Sequence, residues 1–242
     1  YGVAYLEVNL GTGADVVNIQ GTSAHTTLRG NAGDERIYVS SAAADTLATD
    51  TRFLEGHLNN IKGLLNIEAG TGRHQLMISD EASVAGDGTI SQRALITGDL
   101  AAAQQAAADR GQDTELTDDA NRQIFVVGIA PAPISYGADE TGNFLGGITY
   151  WTGFADDAIL IDQTDARPID QAVTITTLNS GLGDDNVLVV LDASDGFIAI
   201  NAQGPYNDLR FRDMDVVDAS AATRSVAVFG GQNKDQITTG TG

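Results

Sequence analysis

Apolar residues in this chain recur two apart inside short segments, with a polar or small residue between them. Val17 and Ile19, Ile37 and Val39, Ile159 and Ile161, and Val187 and Val189 are examples. A period of two sends alternate side chains to opposite faces of a strand, and β-branched residues fit that pleated surface. The pattern predicts strands over 5–10, 15–20, 26–29, 36–40, 64–68, 75–79, 123–127, 148–151, 158–162, 173–178, 186–191, 197–201, 209–212, 225–229 and 236–239. One stretch departs from it. Asp99 is placed to cap an alanine-rich helix over 100–110, which Gly111 ends. Residues 96–122 are therefore expected to form a loop–helix excursion, with Pro131 and Pro133 marking an irregular return and 43–62 a second, looser excursion.

Many of these strands are introduced by one phrase: a glycine turn, an acidic residue, then two apolar residues spaced by two. It reads Gly11-Thr12-Gly13-Ala14-Asp15-Val16-Val17-Asn18-Ile19 and returns as Asn31-Ala32-Gly33-Asp34-Glu35-Arg36-Ile37-Tyr38-Val39. Further copies are Gly153-Phe154-Ala155-Asp156-Asp157 and Gly181-Leu182-Gly183-Asp184-Asp185, each before an apolar pair, and Gly231-Gln232-Asn233-Lys234-Asp235, before the single apolar Ile237. Larger blocks repeat too. Asp15 falls on Asp157, an offset of 142 residues, and Leu6, Val8, Val17 and Ile19 then fall on Ile148, Tyr150, Ile159 and Ile161. Thr26-Thr27-Leu28 falls on Thr176-Thr177-Leu178, an offset of 150. Two units follow, 1–146 with the insertion and 147–242, both expected to continue beyond the ends of the chain. Asp15 and Glu35 are 20 residues apart; Asp157, Asp185, Asp208 and Asp235 follow at steps of 28, 23 and 27. Spacings of this length predict an all-β chain, a parallel β-solenoid of the β-helix or β-roll kind.

Charge narrows the partners. Asp and Glu number 33 against 13 Lys and Arg, a net −20, which repels nucleic acid and anionic lipid and attracts cations. Disorder is the other reading of so acidic a chain, but 42% hydrophobic residues at regular positions argue against it. Cysteine is absent, which excludes disulfides, thiolate metal sites and a cysteine nucleophile. No apolar run approaches the length of a membrane span.

On the residues 11–23 and 26–41, and more loosely 153–190, the chain resembles the hemolysin-type, RTX-like calcium-binding repeat proteins and the large bacterial surface proteins built from related units. The resemblance implies secretion, a parallel β-helix or β-roll, Ca²⁺ at the turns, and a role in adhesion or a surface coat. It departs from the family's tandem nonapeptides: the copies lie 20 or more residues apart, Glu35 and His74 stand at Asp positions, and Asn233 at a Gly position. Calcium takes six to eight oxygens from carboxylates and carbonyls, and a Gly-x-Gly-x-Asp turn offers both. The candidate ligands are Asp15, Asp34, Glu35, Asp156, Asp157, Asp184, Asp185, Asp208 and Asp235. The competing explanation is that these side chains only cap their own turns.

Other chemistry is thinner. Arg210, Arg212, Asp213 and Asp215 resemble the basic-plus-acidic set of a β-helix polysaccharide lyase or epimerase, but a solvated strand face explains them more simply. His25, His57 and His74 are far apart, and no nucleophile elbow, phosphate loop, dinucleotide fingerprint or H-E-x-x-H zinc motif occurs. Tyr150 and Trp151 could stack on sugar, though a core role suits them better. The expected function is non-enzymatic: a calcium-stiffened structural segment of an extracellular protein, an adhesin, coat or filament. Self-association and a glycan or other cell-surface ligand are the possible partners. A polysaccharide-processing enzyme or carbohydrate-binding module is the alternative.

Overall fold

A computed structural model describes residues 2–44, 53–83, 93–118, 123–166, 173–202 and 214–241. In chain order its strands are β1 (Tyr5–Asn9), β2 (Val16–Ile19), β3 (His25–Arg29), β4 (Arg36–Val39), β5 (Leu65–Glu68), β6 (Gln75–Ser79), β7 (Ala94–Thr97), β8 (Ile124–Val127), β9 (Ile134–Gly137), β10 (Ile148–Trp151), β11 (Ala158–Ile161), β12 (Ile175–Asn179), β13 (Asn186–Val189), β14 (Phe197–Asn201), β15 (Val216–Ala219), β16 (Val226–Phe229) and β17 (Gln236–Thr239). One helix, α1 (Leu100–Asp109), lies between β7 and β8. The fold is all-β in its framework, as the alternation predicts.

The strands form two mostly parallel sheets. The larger has ten strands in the order β1-β3-β5-β9-β8-β7-β11-β13-β15-β17, and the smaller seven, β16-β14-β12-β10-β6-β4-β2. From β1 to β7, and again from β9 to β17, consecutive strands fall in alternate sheets. The pairings β7–β8 and β8–β9 are antiparallel and the other pairings parallel.

Register holds equivalent residues in rows. On the smaller sheet Val17, Ile37, Leu76, Ile148, Thr176, Ile198 and Val226 stand side by side on successive strands. Ile19, Val39, Ile78, Tyr150, Leu178, Ile200 and Val228 form the next inward row. They meet Leu65, Ile67, Ile134, Tyr136, Ile159 and Ile161 of the larger sheet in one continuous core. Burying each such side chain contributes roughly 1.5–3 kcal/mol, and it is the two-residue alternation that places the whole row inward.

Two smaller apolar clusters cover outer faces. Ala103 and Ala107 of α1, with Leu116, pack on Leu95, Phe125 and Val127 of the larger sheet. The small alanines let the helix lie close to the strands. Asp99 accepts from the amides of Ala101 and Ala102 at 2.8 and 3.1 Å, and Gly111 takes φ +65°, so both ends of α1 match the sequence reading. On the smaller sheet, Phe53 and Leu54 pack over Tyr38, Met77 and Trp151; the Phe53 and Trp151 rings meet edge-on, with centroids 5.0 Å apart.

Three strands, β7, β9 and β15, depart from the sequence reading. β7 reads Ala-Leu-Ile-Thr, buried on both faces because α1 covers the outer one, so alternation is lost; β8, Ile-Phe-Val-Val beneath the same helix, matches the strand expected over 123–127. β9 follows Pro133 directly, a strand start where no amide is required. β15 lies at Val216–Ala219; the expected strand at 209–212 lies outside the described residues.

The 142-residue repeat has an unexpected placement. Leu6 and Val8 lie in the larger sheet, but their counterparts Ile148 and Tyr150 lie in the smaller; Val17 and Ile159 are exchanged the other way. Among the described residues nine strands precede β10, an odd number, so the same phrase returns in the opposite sheet.

Truncating a residue in the middle of an inward row leaves a cavity bounded by strands on both sides. Ile198→Ala is expected to lower the unfolding free energy by about 2–5 kcal/mol, read by urea denaturation. Asp99→Ala is expected to cost only about 1 kcal/mol.

Candidate functional site: the stacked carboxylate turns

Connections from the larger to the smaller sheet precede β2, β4 and β6; connections in the other direction precede β11, β13, β15 and β17. Each strand lies between two successive connections, so the two kinds occupy opposite edges. The acidic phrase therefore decorates one edge in the first unit and the other edge in the second.

Backbone conformation explains the phrase. The first residue of these turns has positive φ: Gly11 +96°, Asn31 +66°, Gly70 +83°, Gly153 +108°, Gly181 +95° and Gly231 +86°. Asn233, which stands at a glycine position, takes φ +79°, a region asparagine tolerates better than most residues. At Gly181 an added Cβ would stand 1.7 Å from the carbonyl oxygen of Gly153 in the turn next to it; at Gly11 it would meet nothing within 4 Å.

In the second unit Asp157, Asp185, Asp215 and Asp235 stack as an inner column. The Asp157 amide donates to Asp185 Oδ1 at 2.9 Å, the Asp185 amide to Asp215 Oδ1 at 3.0 Å, and the Asp215 amide to Asp235 Oδ1 at 3.4 Å. An outer column runs the other way. The Asp184 amide donates to Asp156 Oδ1 at 2.9 Å and the Met214 amide to Asp184 Oδ1 at 2.8 Å. The two middle turns, at Asp184–Asp185 and Met214–Asp215, are thus tied to both neighbours by side-chain-to-backbone bonds that reach across strands, beyond the self-capping expected of a lone Asx turn.

The inner column is dry except at its Asp235 end, which is half-buried. Asp157, Asp185 and Asp215 are buried while Asp156 and Asp184 are exposed. Burial pushes the Asp185 carboxyl up to about 9; the Asp157 amide pulls it down, and the charges of Asp157 and Asp215 add to the rise. The Ser180 proton goes to the Ala202 carbonyl at 2.9 Å, so Asp185 Oδ2 is left buried without a donor. A proton or a cation relieves that oxygen; a bare carboxylate there is costly.

At the other edge the same position is held by Asp15, Glu35 and His74. Glu35 and His74 are fully buried, with Oε2 2.6 Å from Nδ1. Burial raises the Glu35 carboxyl, helped by Asp15 and Asp34, and burial lowers the His74 imidazole. Both directions favour a neutral pair, in which Glu35 donates its proton to Nδ1 and Nε2–H donates to the Gly70 carbonyl at 3.2 Å. The Glu35 amide faces His74 Nδ1 at 3.4 Å, the place where an aspartate oxygen sits in the other column. Asp34 is the outer residue here and accepts from the Arg73 amide at 2.8 Å. Asp15 is half-buried.

The sequence-derived ligands thus divide into two groups on opposite edges: Asp15, Asp34 and Glu35, and Asp156, Asp157, Asp184, Asp185 and Asp235. Asp208 lies outside the described residues, and the rung between Asp185 and Asp235 is Asp215, which the sequence reading had placed on a solvated strand face. Its signal was present in Asp215-Val216-Val217, the acid-and-apolar phrase without its glycine turn. Arg210, Arg212 and Asp213 also lie outside the described residues. Among the described residues no three His, Cys, Asp or Glu side chains converge as a metal cage. Tyr150 is a core residue, its hydroxyl 2.6 Å from that of Tyr136, and Trp151 is buried under Phe53, so neither offers a sugar-stacking platform. No described helix is long and apolar enough to cross a membrane. Compared with known proteins, the chain matches no family model, no curated protein and no solved structure.

Two outcomes follow from the geometry. Asp185 has a folded-state pKa above its unfolded value, so its contribution is complete below about pH 4 and is lost as pH rises toward about 9. The raised Glu35, Asp162 and Asp195 act in the same direction, while the lowered His74 contributes above its ordinary value and loses that contribution on acidification. Without divalent cations the melting temperature is expected to be higher near pH 5.5 than near pH 8.5. Asp185→Asn, which keeps the acceptor for the Asp157 amide, should flatten that dependence; Asp185→Ala, which removes it, should cost about 1–3 kcal/mol. For the turns, Gly11→Ala is expected to cost about 1 kcal/mol and Gly181→Ala more than about 3 kcal/mol, both read by urea denaturation.

Proposed function

We propose that this chain is a structural segment of a large secreted or surface-displayed bacterial protein, folded as a parallel β-solenoid and not an enzyme. The observation that carries the reading is the in-register stacking of turn on turn, with carboxylates bonding the amides of their neighbours. Such an edge stiffens a rod and offers no substrate a cleft. The resemblance to RTX-like repeats points the same way, toward an extracellular adhesin, coat or filament.

Calcium belongs to this reading as a stabiliser. The donors are hard oxygens, which suit it. The second-unit edge fits best: Asp156 and Asp184 are exposed and present their remaining oxygens to solvent, beside the buried pair Asp157 and Asp185. The first-unit edge fits poorly, because Glu35 and His74 are occupied with each other. Calcium there would supply positive charge between carboxylates that otherwise require protons. A cation that binds the folded turns and not the unfolded chain raises stability by mass action.

For a site with Kd about 10⁻⁴ M, about 10 mM calcium adds roughly 2.7 kcal/mol, or about 5–10 °C in melting temperature for a chain of this size. The rise is expected near pH 8, with calcium but not with magnesium, and is expected to be lost in Asp156→Asn/Asp184→Asn. An unchanged melting curve in calcium would remove the metal from the account and leave proton-loaded carboxylates as its basis.

A further inference from the structure

The two sheets are built by the same chain but differ in length, ten strands against seven. A strand of the larger sheet and the strand of the smaller sheet that follows it make one coil, as β5 and β6, β9 and β10, or β11 and β12 do. Along the smaller sheet these coils are neighbours: β10 pairs directly with β6 on one side and with β12 on the other. Along the larger sheet β8 and β7 stand between β9 and β11. The turns follow the smaller sheet. The Phe154 amide, on the way into β11, donates to the Ser83 carbonyl after β6 at 2.9 Å, and the Leu182 amide of the next turn donates to the Gly153 carbonyl at 3.0 Å. Contact between coils is thus unbroken on one side of the molecule and spread apart on the other.

The excess is two strand spacings, about 10 Å, and packed sheets lie about 10 Å apart, so the coils before and after it splay by roughly 50°. The interior matches the splay. Among the described residues, the three largest fully buried side chains of the continuous core are Tyr136, Tyr150 and Phe144, on β9, β10 and the connection between them. The two tyrosine hydroxyls meet at 2.6 Å, and the Phe144 ring stands edge-on to that of Tyr136. Ala94, Ile96, Ile124 and Val126 face the same core while α1 covers their strands from outside, so β7 and β8 belong to its wall and not to an outward flap.

The insertion leaves the rest of the stack in phase. Two antiparallel pairings in succession restore direction, so β11 runs parallel to β9. The inward row crosses without a slip: Ile134, Val126, Ile96 and Ile161 stand side by side. Without β8 and β7, Ile134 would meet Ile161, apolar on apolar. The connection also fits. Residues 80–83 and Pro133 would join β6 to β9 in five residues, the number, 20–24, that joins β2 to β3. We propose that 84–132 is a removable wedge: its two strands turn the rod through roughly 50°, convex on the larger sheet, and the chain without it folds straight, with β9 paired to β11. The inference goes beyond the structural reading above by making the segment an elbow; it rests on the parallel stacking of coils and not on calcium.

Spin labels on introduced cysteines test it, since the chain has no cysteine of its own. One pair, Asn9→Cys with Thr238→Cys, spans the ends of the larger sheet; another, Asn18→Cys with Ala227→Cys, spans the ends of the smaller. Ten strands have nine spacings and seven have six, so by electron–electron double resonance the first distance is expected to exceed the second by at least about 14 Å. In the chain lacking 84–132 the nine spacings fall by two to seven, and the excess is expected to drop to about 5 Å. That deletion is also made with Leu64→Thr and Leu160→Thr, because α1 would no longer cover those side chains. A wild-type excess of only about one spacing, near 5 Å, overturns the bend. A deletion that folds in neither form, or that keeps the wild-type excess, overturns the removable wedge. Calcium-dependent melting is a separate measurement, so either reading can fail alone.

Discussion

Parallel pairing in strict register stacks equivalent residues about 4.8 Å apart along the molecule. That constraint rewards apolar residues and penalises like charges. The inward rows exploit it: Val17 through Val226 on the smaller sheet is seven residues long and apolar but for Thr176. The inner column at the edge defies it, with four aspartates in succession. What makes the column tolerable is that Asp185, Asp215 and Asp235 each accept the amide of the turn beside them, and that burial favours the protonated form of Asp185. Buried acids here serve as backbone acceptors held in line by the sheet.

The first-unit edge solves the same problem with different chemistry. Where the second unit stacks acid on acid, Glu35 meets His74, and burial favours the neutral form of each. The column then ends on Phe144, whose ring lies 5.6 Å from that of His74 and 5.4 Å from that of Tyr136. The two edges are therefore not equivalent binding surfaces, although the sequence phrase that builds them is the same. Their separation follows from the step of nine described strands from one repeat to the next, an odd number, which moves the second set of turns to the far side.

Much of the framework was legible from alternation alone. Val17 with Ile19 and Ile159 with Ile161 each identify a strand and its inward face, and Asp99 with Gly111 bounds the helix. A strand whose outer face is covered was harder: β7 loses the period of two beneath α1, whereas β8 beside it was legible as an apolar run. The antiparallel pairings of β8 had no local signal, because direction is set by how the chain returns after α1 and not by residue pattern. At the turns, the acid positions were readable but their partners were not. The amide taken by Asp185 belongs to Asp157, 28 residues away, and spacing by itself pointed to Asp208 where the fold uses Asp215. Nor does sequence separate the buried inner acid from the exposed one beside it, since Asp184 and Asp185 are neighbours with opposite environments.

The central claim is that buried carboxylates hold one turn to the next through backbone amides. Hydrogen exchange at the amides of Asp157 and Asp185, resolved by NMR, tests it most directly. The account requires both to be protected as strongly as the strand amides of Ile159 and Val187, opening only with the sheet, and requires Asp185→Ala to expose the Asp157 amide selectively. Exchange of both amides at the rate of an open surface loop in the wild type would contradict it.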